Sequence, residues 1–84
     1  MNGLKERLQA LKVKSIVSGL YEISFDDMNV SITNYGRKQW HIDFSDECKM
    51  SNKIENFRYG IFCFETKREA VYYAKCFILE YKQG

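Results

Sequence analysis

The side chains able to do chemistry in this sequence fall into three groups. Asp26 and Asp27 form one adjacent acidic pair and Asp46 and Glu47 another, and paired carboxylates are what metal-assisted hydrolysis requires, together with a concave pocket to hold the substrate. Cys48, Cys63, Cys76 and His41 are side chains of zinc-ligand type, but no Cys-x-x-Cys or His-x-x-x-His spacing brings two of them together. The residues therefore indicate no metal site, and the cysteines read as small buried hydrophobes. Basic pairs make the third group. Arg37-Lys38 sits in a turn, and Lys67-Arg68 sits at a helix start, where cations join free backbone N–H groups to hold an anion. Cations there also oppose the helix macrodipole, at a cost of some tenths of a kcal/mol each. Lys49, Lys53 and Arg58 lie in or beside one long loop. The parts of a catalytic centre do not assemble: His41 lies in a strand whose apolar neighbours point the other way, and Gly19, Gly36 and Gly60 stand alone, without a phosphate loop. The expectation is a protein that is not an enzyme and carries no cofactor.

These groups have to be positioned by elements that the hydrophobic pattern defines. Leu4, Leu8 and Leu11 recur at helical spacing among polar residues, giving a short amphipathic N-terminal helix. Tyr21, Ile23 and Phe25, then Met28, Val30 and Ile32, then Trp40, Ile42 and Phe44 alternate with polar residues, the mark of strands with one wet face. Asp26-Asp27 and Asn34-Tyr35-Gly36-Arg37 are the turns between them. Antiparallel pairing returns the end of the third strand to the start of the second, so Asp26, Asp27, Asp46 and Glu47 gather at one pole, with Arg37 and Lys38 at the other. Residues 46–58 are polar and aperiodic and read as a loop. Residues 59–64 are apolar on both faces apart from Gly60 and read as a fourth strand covered on both sides.

Phe64-Glu65-Thr66-Lys67-Arg68-Glu69-Ala70 carries a capping box: Thr66 accepts from the Glu69 N–H while the Glu69 carboxylate reaches back to the Thr66 N–H. The helix so started runs from about Lys67 to Lys82. Ala70, Tyr73, Ala74, Phe77, Ile78 and Tyr81 share the side that faces the sheet. Tyr72, Cys76 and Leu79 form a second apolar stripe on the opposite side, which marks an interface with a protein partner or a second copy of the chain, unless the N-terminal helix covers it. The expected fold is α+β: one domain over residues 1–84, a small antiparallel sheet of three to four strands backed by the C-terminal helix, with a short N-terminal helix completing the second layer.

Composition narrows the function classes. Apolar residues at 45% and aromatics at 15% of an 84-residue chain supply one core. A net charge of +2, from 13 basic and 11 acidic residues, is far below that of a domain held to duplex DNA mainly by phosphates. No apolar run approaches a membrane span, and the first residues lack the apolar region of a signal peptide. An odd number of widely spaced cysteines suits reduced thiols, so the expectation is a cytoplasmic protein without membrane contact.

The order strand, strand, Trp40-x-Ile42-x-Phe44 strand, then Phe64-x-Thr66-Lys67-Arg68-Glu69-Ala70 leading a helix resembles the three-strand-plus-helix DNA-binding domains of plant ethylene-response factors and the arm-binding domains of tyrosine recombinases. The resemblance covers about fifty residues and implies a sheet face that enters the major groove with arginines and lysines. Here that face holds Glu22, Ser24, Asn29, Ser31, Thr33, His41, Asp43 and Ser45, with two acids and neither lysine nor arginine. The sequence therefore favours a binding module acting through protein contact, of the style of phage or mobile-element accessory and inhibitor proteins. Its interface candidates are Tyr72, Cys76 and Leu79 with the acidic pole. The alternative is a nucleic-acid-binding domain using Arg37, Lys38, Lys67 and Arg68.

Overall fold

The computed structural model describes residues 3–55, 57 and 62–83, with Leu4 placed by its backbone alone. Arg58, Tyr59, Gly60 and Ile61 lie outside the described residues, and with them most of the expected fourth strand. In chain order the elements are α1 (Gly3–Ala10), β1 (Lys14–Val17), β2 (Leu20–Phe25), β3 (Met28–Gly36), β4 (Gln39–Phe44), α2 (Glu47–Lys53), β5 (Cys63–Phe64) and α3 (Lys67–Gln83). The fold class is α+β, as the residue pattern predicts. The strands form one antiparallel sheet of five in the order β1-β2-β3-β4-β5, larger than three or four.

Two-residue periodicity sets the register. Ile23 pairs with Val30, Phe25 with Met28 and Ile32 with Ile42, so the alternating apolar residues of β2, β3 and β4 reach the same face. All of these side chains are buried. Asp26 takes φ 51 in the turn that joins Phe25 to Met28, a left-handed conformation that aspartate tolerates because its short carboxylate can bond locally. Gly19 takes φ 81 in the turn between β1 and β2, where a side chain would be strained.

Helix α3 lies across the apolar face. Ala70, Ala74 and Ile78 are fully buried beneath it, the alanines letting helix and sheet approach closely. At the far end Phe44 meets Phe57, Phe62 and Phe77 with ring centroids 5.4, 6.3 and 5.9 Å away, all near edge-to-face. Fully burying a side chain such as Ile23, Ile32 or Ile78 contributes about 2 kcal/mol, so this layer is the main source of stability. Among the described residues no helix is long and apolar enough to cross a membrane.

Several expectations are corrected. The segment read as a loop from Asp46 contains α2: the Asp46 carboxylate caps it by accepting from the Lys49 N–H at 3.1 Å, and Met50, Ile54 and Phe57 drop into the core. Strand β1 has no alternation to announce it, since all four of its residues are exposed. Tyr73, expected to face the sheet, is 46% exposed and instead stacks on Phe64 at 5.0 Å. The β5 segment is covered on one side only, because Cys63 is exposed while Phe64 is buried. The helix cap also differs in detail. The Glu69 N–H donates to Thr66 Oγ1 at 3.2 Å as expected, but the Glu69 carboxylate accepts from the Thr66 hydroxyl at 3.1 Å rather than from its backbone.

Candidate interaction surface

The second apolar stripe of α3 is divided by α1. Leu8 and Leu11, the helical-spaced leucines of the N-terminal segment, bring α1 onto α3 and place Leu11 and Leu79 in the buried core. Leu79 is 8% exposed and is thus covered, whereas Tyr72 remains 48% exposed and Cys76 is half-buried. Of the three residues expected to act as one stripe, Leu79 is therefore set apart, while Tyr72 and Cys76 stay together through a side-chain hydrogen bond. Leu11 and Leu79 border one open cleft, and Leu8 borders a second beside Tyr72.

The larger cleft, of about 470 Å³, runs beside the first turns of α3. Its apolar wall comes from Leu8 and Val13 on one side and Val71 and Tyr72 on the other, and Lys67, Arg68 and Lys75 stand around it. Positions 67, 68, 71, 72 and 75 fall on one face of a 3.6-residue helix, which is why one cleft collects them. The smaller cleft, of about 270 Å³, is lined by Arg7, Ala10, Leu11, Leu79, Lys82 and Gln83. Neither lining contains an acid. The Lys67 ammonium lies 3.9 Å from the centroid of the Tyr21 ring, a cation–π contact that fixes this cation at the top of the sheet. Tyr72 packs edge-on to Tyr73 at 5.4 Å, so the exposed aromatic at the cleft is buttressed.

Basic and acidic poles form at opposite ends of the sheet. Arg37 and Lys38 occupy the turn between β3 and β4, with Lys38 at φ 58. Because Phe64 pairs with Trp40 just beyond that turn, α3 begins at the same end, and Lys67 and Arg68 share its pole. At the other end, Asp26 and Asp27 form the turn between β2 and β3, and the bond from the Ser45 N–H to the Asn29 carbonyl brings Asp46 and Glu47 alongside. The four acids therefore do gather, but their charge is partly engaged. Asp27 pairs with Lys49 at 2.8 Å, and Asp46 caps α2. The hydrogen bond from Lys49 and then its charge hold the Asp27 carboxyl below its ordinary value, and the same contacts hold the Lys49 ammonium above its own. No group of three or more metal-donor side chains occurs among the described residues.

No family model, curated protein or solved structure matches this chain. Its chemistry rests on the geometry alone.

The outer sheet face carries Glu22, Ser24, Asn29, Ser31, Thr33 and Asp43 as the pattern predicts, and β1 adds Lys14 opposite Glu22. Ile16 and Val17 at the sheet edge are 43% and 60% exposed. On the same face His41 Nε2 lies 3.4 Å from Cys63 Sγ, and the Tyr35 ring meets the imidazole edge-on at 4.8 Å. His41 and Cys63 line neither cleft. Sequence reasoning missed the cleft because Leu8 and Val13 come from outside α3, and only the docking of α1 joins them to Val71 and Tyr72. The signal available was Leu8 and Leu11 facing a helix that already had a second apolar side.

Proposed function

We propose that this chain is a small, non-enzymatic binding module that acts by contact with a protein, through the cleft between α1 and the first half of α3. The observation that carries this reading is an open apolar wall, Leu8, Val13, Val71 and Tyr72, ringed by Lys67, Arg68 and Lys75 with no acid in the lining. Such a surface excludes water from an apolar anchor while its charged rim selects the partner. The unpaired Cys48, Cys63 and Cys76 suit a reducing compartment, and the reading places the protein in the cytoplasm, in the style of a phage or mobile-element accessory or inhibitor protein.

A second reading, nucleic-acid binding, is favoured by the shared pole of Arg37, Lys38, Lys67 and Arg68. Opposed to it are Glu22 and Asp43 on the sheet face that the resembling domains insert into DNA, and an apolar cleft that phosphates would not fill.

Photo-crosslinking separates the two. A benzophenone side chain in place of Tyr72 should capture a protein in cells of the source, the adduct should survive nuclease, and Arg68→Glu with Lys75→Glu should abolish it. An adduct removed by nuclease would make nucleic-acid binding the better reading, and capture from Ile16 but not from position 72 would refute the cleft.

A further inference from the structure

We infer that the segment of the partner seated in this cleft is an acidic amphipathic α-helix of about two to three turns; the inference rests on the protein-contact reading above. The walls of the cleft decide the backbone of its occupant. Both are helices or their flanks: the Leu8 carbonyl accepts from the Leu11 N–H, and Val71 to Lys75 lie past the first turn of α3, so the middle of the cleft offers side chains, with the free N–H groups of the α3 start only at its Lys67 end. An extended segment buried there would leave its own backbone groups unpaired, a cost that a helix avoids by bonding within itself. Strand partners have a better place on this molecule, the outer edge of β1, an edge strand paired on one side only, by β2.

Length and charge follow from the same residues. Lys67 to Lys75 covers nine residues of α3, eight steps and about 12 Å of rise, which two to three turns of a second helix would match. Apolar side chains of the occupant spaced i and i+3 or i+4 would drop between Leu8 and Val13 on one wall and Val71 and Tyr72 on the other. Carboxylates flanking them would meet Lys67, Arg68 and Lys75. The acids of α3 do not compete: Glu69 and Glu80 line neither cleft, and the Glu69 carboxylate already accepts from the Thr66 hydroxyl. Arg7 and Lys82 beside the smaller cleft extend the same sign of charge along α3, so a longer acidic helix would still meet cations.

Display selection of random peptides of about 12 residues, enough for two to three helical turns with a residue or two at each end, tests this directly. The full chain is the bait, with counter-selection on the Arg68→Glu, Lys75→Glu variant. Enriched peptides should be net negative with apolar residues at i, i+3 or i+4. A synthesised winner should become helical on binding, shift the amide resonances of Val13, Val71 and Tyr72, and lose about tenfold or more in affinity to the variant, whose thermal melt should match the wild type. Peptides that are neutral, basic or extended in pattern but still shift Val71 and Tyr72 would overturn the occupant while leaving the contact site standing. Peptides that shift only other residues, or no enrichment, would overturn both, unless crosslinking at position 72 still captures a protein, in which case the occupant alone falls. A single-stranded oligonucleotide or an anionic phospholipid vesicle that occupies the cleft more tightly than the best peptide would also overturn the inference.

Discussion

Replacing Leu79 by alanine tests whether α1 belongs to the fold, since the cleft has no second wall without it. Leu79 is 8% exposed, as is Leu11, which lines the same small cleft. Truncating a buried leucine costs about 2–5 kcal/mol, the spread reflecting how far the surroundings collapse into the space left. Here the covering element is a helix of 8 residues that can shift inward, which puts the expected cost at the low end, about 2–3 kcal/mol. A domain of this size loses about 1 kcal/mol of stability per molar urea, so the unfolding midpoint should fall by about 2–3 M. Leu11→Ala should cost a similar amount, and the double variant should cost less than the two added, with a coupling above about 0.5 kcal/mol. Since so short a helix does not persist alone, hydrogen exchange at α1 amides should quicken in Leu79→Ala before exchange in β3 does. A midpoint shift below about 0.5 M, or unchanged exchange in α1, would refute the packing of α1 on α3.

Thr66→Ala should destabilise the fold by about 1 kcal/mol, because the Glu69 N–H loses its acceptor at 3.2 Å, and equal melts for variant and wild type would contradict that start of α3. In Lys49→Met the Asp27 carboxyl should titrate closer to its ordinary value of 3.8, as followed by carbonyl carbon NMR, because the hydrogen bond and charge that hold it down are gone. A depressed carboxylate stabilises above the unfolded value and loses that contribution as pH falls through the folded value, so the stability difference between wild type and Lys49→Met should vanish in acid. At the alkaline end the raised Lys49 ammonium should lose its contribution as pH climbs through its folded value. An unchanged Asp27 titration would show that the ion pair does not form in solution.

The middle of the sheet was legible because β2, β3 and β4 each bury one face and expose the other, so Ile23, Val30 and Ile42 announce their side by alternation alone. The start of α3 was legible through Thr66 and Glu69. Strand β1 was not, since Lys14, Ser15, Ile16 and Val17 bury nothing and their pairing depends on β2 lying next to them. Helix α2 left a trace that polar composition concealed: Asp46 as cap, and Met50, Ile54 and Phe57 at i, i+4 and i+7. The surface was half legible. The sequence placed Lys67 and Arg68 at the helix start and the acids at the pole opposite Arg37 and Lys38, but assigned Leu79 to the same exposed stripe as Tyr72, because helical spacing gives the side of a residue and not what covers it. A lining shared by α1 and α3 is a tertiary fact with no local signature.

Hydrogen exchange on the complex with the captured partner measures the central claim most directly. Contact through the cleft predicts added protection at residues 8–13 and 67–75, with the amides of β2, β3 and β4 unchanged. Protection concentrated instead on the outer sheet edge at residues 14–20, with none at Val71 and Tyr72, would contradict it.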